Sequence, residues 1–384
     1  MPTFAHSSYL FRYIVVLFLA SVVFHKINVA APEFREVGLF EDLSNIYSGE
    51  KGDIIEQFAL SSLIQYQFAF VNSEQGSADD FAFRRFRIGP KARLFGCLRF
   101  SANVNFQTSE KFDYKNLSTA YLAYSPHGSE KSSAKEFYVT IGKLKPRFSR
   151  EYSTHASRIK TVERSMLVNQ LAPSKATGVS IGGEFDLLNY SISLFSGDDD
   201  DEFSRLNEGG SLFILKLDRS FGSMYDVCFD LMSVSGEQEI TYSINNALSV
   251  STVWNADYSS GDATWQADLI FADLSDPGGR VFGIVLLPSY LFSEKLEAVA
   301  RYQLATSSTE EGLALQSRYE LLPADVSKNG TGSKYNAVYL GLNYYLFGNS
   351  FKFMSGVEYA KMSQEKNFRG FDGWTWASGV RVYF

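Results

Sequence analysis

Between Phe81 and Phe106 the chain reads FAFRRFRIGPKARLFGCLRFSANVNF, and taking every second residue separates it into two chemically opposite sets. Phe86, Ile88, Ala92 and Leu94 share one phase, joined beyond a break at Phe95-Gly96 by Leu98, Phe100, Ala102, Val104 and Phe106. Arg85, Arg87, Lys91, Arg93, Arg99, Ser101, Asn103 and Asn105 share the other, while Arg84 falls on the apolar phase. Side chains on a β-strand alternate faces with period two, so the segment is a hairpin with one apolar and one cationic face. The cationic face needs water or an anion beside it. The apolar face needs either a protein core or lipid.

Alternation alone does not choose between those neighbours, because a soluble β-sandwich uses it too. Reading it onward gives about sixteen candidate strands, an even number as bacterial barrels require. They run 57–71, 81–94, 98–107, 117–125, 136–145, 176–186, 188–196 and 211–218, then 223–234, 246–256, 262–273, 280–290, 294–305, 335–347, 350–361 and 373–384. The connections alternate between short ones, such as Asp218 to Gly222 and Gly348-Asn349, and long ones, such as 146–175 and 306–334. Short periplasmic turns and long outer loops are the asymmetry of a transmembrane barrel, which a sandwich has no reason to adopt. Ser125 to Lys135 is long for a periplasmic turn. An aromatic content of 15% and a mean hydropathy of −0.12 fit a wall with one lipid face, one wet face and aromatic girdles. Tyr190, Trp254, Trp265 and Trp374, at strand ends, are assigned to those girdles.

Past the first residues no apolar run approaches a spanning helix. At the start, Arg12 precedes the apolar run Tyr13 to Phe24, followed by small residues at Val29, Ala30 and Ala31. That order predicts a signal peptide over 1–30, cut after Ala30. Residues 31–56 lack alternation and are expected to form a short periplasmic lead-in, with a helical turn near Phe40 to Tyr47, before a barrel over 57–384. At the other end, Trp374, Trp376, Val380, Val382 and Phe384 alternate with Thr375, Ala377, Gly379, Arg381 and Tyr383. A last strand closing on an aromatic resembles the assembly signal of bacterial outer-membrane proteins. Cys97 and Cys228 fall on distant strands and are expected to be free thiols.

Charge is segregated along the chain. Phe81 to Phe106 holds six basic residues and no acid. Lys143 to Lys175 holds eight basic residues against Glu151 and Glu163, leaving −19 for the rest of a chain whose net charge is −7. With the first strand rising from the periplasm, Pro146 to Lys175 is the third outer loop and the most basic. Asp198 to Asp201 with Glu202 form a solvated fourth loop.

The segment IGKLKPRFSREYSTHASRIKTVERSMLVNQLAPSKATGVSIGGEF resembles the phosphate-selective porin O and P family. In that family a strand ending in Gly-x-x-Lys-Pro leads into a long loop with Glu-Arg and then a Gly-Val strand. The matching residues here are Gly142, Lys145 and Pro146, then Glu163 and Arg164, then Gly178 and Val179. The stretch FRRFRIGPKARL looks like the family's arginine-rich second strand. Arg147 departs from a common second proline, and Ser174-Lys175 from a common Gly-Arg. The resemblance implies an all-β, sixteen-stranded antiparallel transmembrane barrel, assembled as a homotrimer, with loop three folded inward. Phosphate selectivity belongs to specialised members and is not carried over.

Guanidinium groups along a wet lumen lower the electrostatic cost of admitting an anion, and their planar fork suits oxyanions. Alternate strand residues sit about 7 Å apart, so Arg85, Arg87, Lys91, Arg93 and Arg99 could pass an anion stepwise. Charges on the lipid face would cost about 2–4 kcal/mol each at mid-membrane. Loop three could add Arg147, Arg150, Arg158, Lys160, Arg164 and Lys175 at a constriction, whereas Lys143 and Lys145 share the phase of Val139 and Ile141 and are expected above the lipid or beyond a bulge at Gly142. The expected function is therefore a passive outer-membrane channel of a Gram-negative-type bacterium for small hydrophilic anions, with lipid and lipopolysaccharide as neighbours. A general porin with little selectivity and a non-conducting structural or adhesive barrel are the alternatives. His127 and His155 sit in no recognisable catalytic arrangement, which argues against an enzyme. No metal-ligand spacing or cofactor motif is present. Basic residues that alternate with lipid-compatible ones are a poor nucleic-acid surface.

Overall fold

The computed structural model describes residues 44–107, 112–126 and 137–384, apart from 186, 201, 207–208, 223, 237–238, 242, 259–260, 277, 317, 324–329 and 364–369. The signal peptide, the first half of the lead-in and most of the Ser125 to Lys135 connection lie outside the described residues. The rest is one closed antiparallel sheet. Its strands are β1 (Ile55–Ser73), β2 (Gly76–Leu94), β3 (Leu98–Gln107), β4 (Asp113–Tyr124), β5 (Phe137–Leu144), β6 (Ala176–Phe185), β7 (Leu188–Ser196) and β8 (Ser211–Phe221). They continue as β9 (Tyr225–Ser235), β10 (Ile244–Tyr258), β11 (Gly261–Leu274), β12 (Gly279–Ser293), β13 (Leu296–Ser307), β14 (Lys334–Phe347), β15 (Phe351–Ser363) and β16 (Phe371–Tyr383). Each pairs with the next, and β16 closes on β1 from Gly373 opposite Ser73 to Tyr383 opposite Leu63. Closure removes the sheet edges that lipid could not satisfy.

Period-two alternation decides which face is which. On β14, Tyr339 and Asn343 are 4% and 1% exposed while Leu340 and Leu342 between and beside them are 63% and 51% exposed. Apolar side chains therefore face out and polar ones in. Trp254, opposite Trp265 across β10 and β11, and Trp374 on β16 are exposed on the outer face. Both thiols are free.

Three local expectations change. Of the helical turn expected near Phe40 to Tyr47, residues 40–43 lie outside the described residues, and Asn45–Ser48 is a short strand that pairs with Gln57 to Ala59 at the start of β1. The first outer connection shrinks to Glu74-Gln75, because the polar run Gly76 to Asp80 continues the ladder opposite Ala69 to Ser73. Arg84 is not on the outer face. The β1–β2 register slips where Gln65 faces Arg85 and Tyr66 faces Phe83, leaving Arg84 as the extra residue of a bulge. A bulge inserts one residue and re-aims side chains, so Phe81, Phe83, Phe86 and Ile88 all stay outside while Arg84 and Arg85 both turn in.

Candidate functional site

The segment between β5 and β6 carries two short helices, α1 (Arg150–Ser153) and α2 (Met166–Leu171), capped by the side chains of Ser149 and Ser165. Phe148, Ile159, Val162, Met166, Leu167, Val168 and Leu171 in it are buried. A buried irregular segment must find partners for its backbone carbonyls, and the barrel wall supplies them. Arg381 of β16 donates to the carbonyls of Ala156 and Ile159 through Nη1 (3.2 and 3.1 Å) and to those of Thr161 and Val162 through Nη2 (3.2 and 2.5 Å). Lys352 of β15 donates to Ile159 O at 3.0 Å, and Asn343 of β14 to Lys160 O at 2.8 Å. Gln65 and Gln67 of β1 take Ala156 O and Val162 O, and Arg301 of β13 takes Glu163 O at 2.7 Å. On another part of the wall Arg150 pairs with Asp218 of β8 at 2.9 Å and Asp226 of β9 at 3.0 Å, and its backbone N–H donates to Asp268 of β11.

Apolar packing completes the contact. Met166, Leu167 and Leu171 join Ile240, Leu313, Leu315 and Tyr319 of two other connections and inward residues such as Val71, Leu212, Ile270 and Tyr335 in one buried cluster. The inward face is therefore not wholly wet; on the strands that meet these connections it is partly a protein core.

The residues singled out for an anion path divide into three groups. Arg85, Arg87, Lys91 and Arg93 share the inward phase of β2 and have neutral partners where contacts exist: Arg85 donates to Gln65, Arg87 to Asn105 at 2.6 Å, and Lys91 lies 5.4 Å from the Tyr383 ring centroid. Arg99 on β3 faces Arg93 in register. Arg147 and Arg158 are exposed in the loop. Arg150, Lys160 and Arg164 hold the loop in place: Lys160 pairs with Glu297 at 2.9 Å, and Arg164 is buried with its guanidinium on the carbonyls of Glu151 and Thr154. Lys175 donates to the Ser118 hydroxyl.

Sequence reading also passed over functional wall residues. Arg301, Lys352 and Arg381 are isolated cations on the inward phase of amphipathic strands, the rule that located Arg85 and Arg87, and would have been found by applying it to every strand. Lys143 keeps its outward phase but is covered, donating to Asp200 O in the 197–210 connection, and Lys145 lies beyond the strand end, over the Tyr152 ring at 4.1 Å.

Electrostatics follow from this crowding. Burial pushes the Lys145 amine down to about 6, with Arg164, Arg85, Arg147 and Arg87 adding to the effect. Burial would raise the Glu163 carboxyl, yet Arg84, 2.6 Å away, and Arg85 hold it down at about 2. Desolvation inside the barrel lowers His155 to about 4 although the residue keeps an exposed face, with Lys145, Arg87, Lys91 and Arg158 pushing the same way. The β2 side of the lumen is thus a region of excess positive charge.

Residues 59–209 match the model of the phosphate-selective porin O and P family. By its fold the chain is a closed sixteen-stranded antiparallel barrel of the outer-membrane porin type. The chain superposes on the outer-membrane channel DcaP of Acinetobacter baumannii with a TM-score of 0.56 at 10% identity, over 88% of this chain and 99% of that one. For an anion-selective porin from Comamonas acidovorans the values are 0.55 and 11%, over 85% and 99%. For in-vitro folded OmpT of Vibrio cholerae in its trimer form they are 0.54 and 11%, over 85% and 99%. At such identities these neighbours speak to the porin's fold alone. No curated protein matches its sequence.

Proposed function

We propose that the protein is a passive diffusion channel that prefers small hydrophilic anions, phosphate-like oxyanions among them, and works as a homotrimer in a Gram-negative-type outer membrane, in contact with lipid and lipopolysaccharide. The observation that carries this is the pairing pattern. Cations on β13, β15 and β16 are occupied by the loop, and Arg150 and Lys160 by carboxylates, whereas Arg85 and Arg87 on β2 have amide partners, and the one carboxylate acting on Arg85, Glu163, is already paired with Arg84. In a passage with low-dielectric walls such charge concentrates anions. Neighbour proteins described as anion-selective and as a trimer support the same reading. On this reading residues 1–30 are the export signal, 31–56 the periplasmic lead-in, and the protein has no catalytic role.

Replacing Arg85, Arg87 and Arg93 together with Gln and measuring ion selectivity of the reconstituted trimer tests it. Loss of anion preference is expected. Unchanged selectivity would remove these residues from the path. A second reading, a barrel with a blocked lumen, is favoured by the apolar packing of residues 148–171 inside the wall; it requires that reconstituted protein carry no current.

A further inference from the structure

Two aromatic rings stand on the basic side of the lumen where inorganic ions alone would have no use for them. Tyr383 is on the inward phase of β16, opposite Leu63, which in turn faces Arg87. The His155 ring, exposed at the lower edge of the loop, lies 4.9 Å from the Tyr383 ring between centroids, tilted by 57°. The Ser157 backbone N–H donates to His155 Nδ1 at 3.3 Å and the Ser157 hydroxyl lies 2.8 Å from the same atom. That assigns the neutral ring its proton on Nε2 and leaves its ring flat and uncharged. Lys91 Nζ is 5.4 Å from the Tyr383 centroid. Arg87 and Arg158 also act on His155, so the charge felt at its ring is positive.

We infer that Tyr383, His155 and Lys91 form a binding site for organic anions with an aromatic body, the ring lying against Tyr383 and His155 and the acid group against Lys91. The inference rests on the anion-channel reading and narrows it to a solute class. Ring edges and faces favour another ring over water, and a cation beside them holds the acid group without a second carboxylate to compete. His155 adjoins Ala156, whose carbonyl Gln65 and Arg381 hold against the wall, so the site lies at the docked edge of the loop.

The test uses two sulfonates with the same permanently charged head. The full-length protein is reconstituted in a planar bilayer, and the concentration that halves the chloride current is measured for benzenesulfonate and for methanesulfonate. Half-block by benzenesulfonate is expected at about five- to tenfold lower concentration, the size of one aromatic contact. His155→Ala and Tyr383→Leu bring the two values together, and Lys91→Gln weakens both anions while their ratio persists. Equal half-block in the unaltered protein overturns the site, as does an unchanged ratio in His155→Ala, which decides alone if Tyr383→Leu fails to assemble. Cation preference in a salt gradient overturns the anion reading itself, whereas anion preference with equal half-block overturns only the aromatic site.

Discussion

Arg84 and Arg85 are adjacent on a strand and both point into the lumen, which only a bulge allows. Arg84 is held by Glu163, while Arg85 and Arg87 donate hydrogen bonds to amide oxygens, which carry no charge to offset theirs. Removing a unit charge some 4 Å from a permeating ion costs about 1 kcal/mol even in water, or about fivefold in local anion concentration. Arg87→Gln is therefore expected to lower the chloride-to-potassium permeability ratio by about that factor, measured from the zero-current potential. Lys145 adds a pH dependence. Its amine is lowered to about 6, so it is neutral above that value and gains its charge as the pH falls through it. Anion preference should rise between pH 8 and pH 5, and Lys145→Met should flatten that rise.

At the scale of the element, strands were legible because lipid on one side and polar groups on the other force strict alternation. The bounds of β3 and β7 coincide with those read from the sequence. Alternation fails as a guide where the constraint ends. Gly76 to Asp80 is polar on both phases and reads as a loop, yet stays in the ladder because Ala69 to Ser73 continue opposite it. The loop between β5 and β6 was legible as basic but not as to which cations stay available, since that depends on long-range partners. Burying it left a row of carbonyls needing donors, and Arg381 takes four of them. Arg381→Gln should weaken its docking by on the order of 3 kcal/mol, seen as a larger and noisier single-channel conductance. Glu163→Gln leaves the half-buried Arg84 without its carboxylate partner and should destabilise by about 1–3 kcal/mol in thermal unfolding, with Arg84→Gln in the same chain restoring most of the loss.

At the scale of the whole molecule, positive and negative groups are sorted around the barrel. Asp218, Asp226 and Asp230 lie on β8 and β9, where Arg150 and Lys216 pair with them, and Asp268 on β11 accepts from the Arg150 backbone N–H. The unpaired positive charge is on β2 and β3, with the loop packed against other parts of the wall. The net charge of −7 consequently says little about what crosses. The decisive measurement is the zero-current potential of the reconstituted protein in a tenfold potassium chloride gradient. A potential of the sign set by chloride is expected, reduced when Arg85, Arg87 and Arg93 are replaced by Gln; a potential of the sign set by potassium would contradict the anion path.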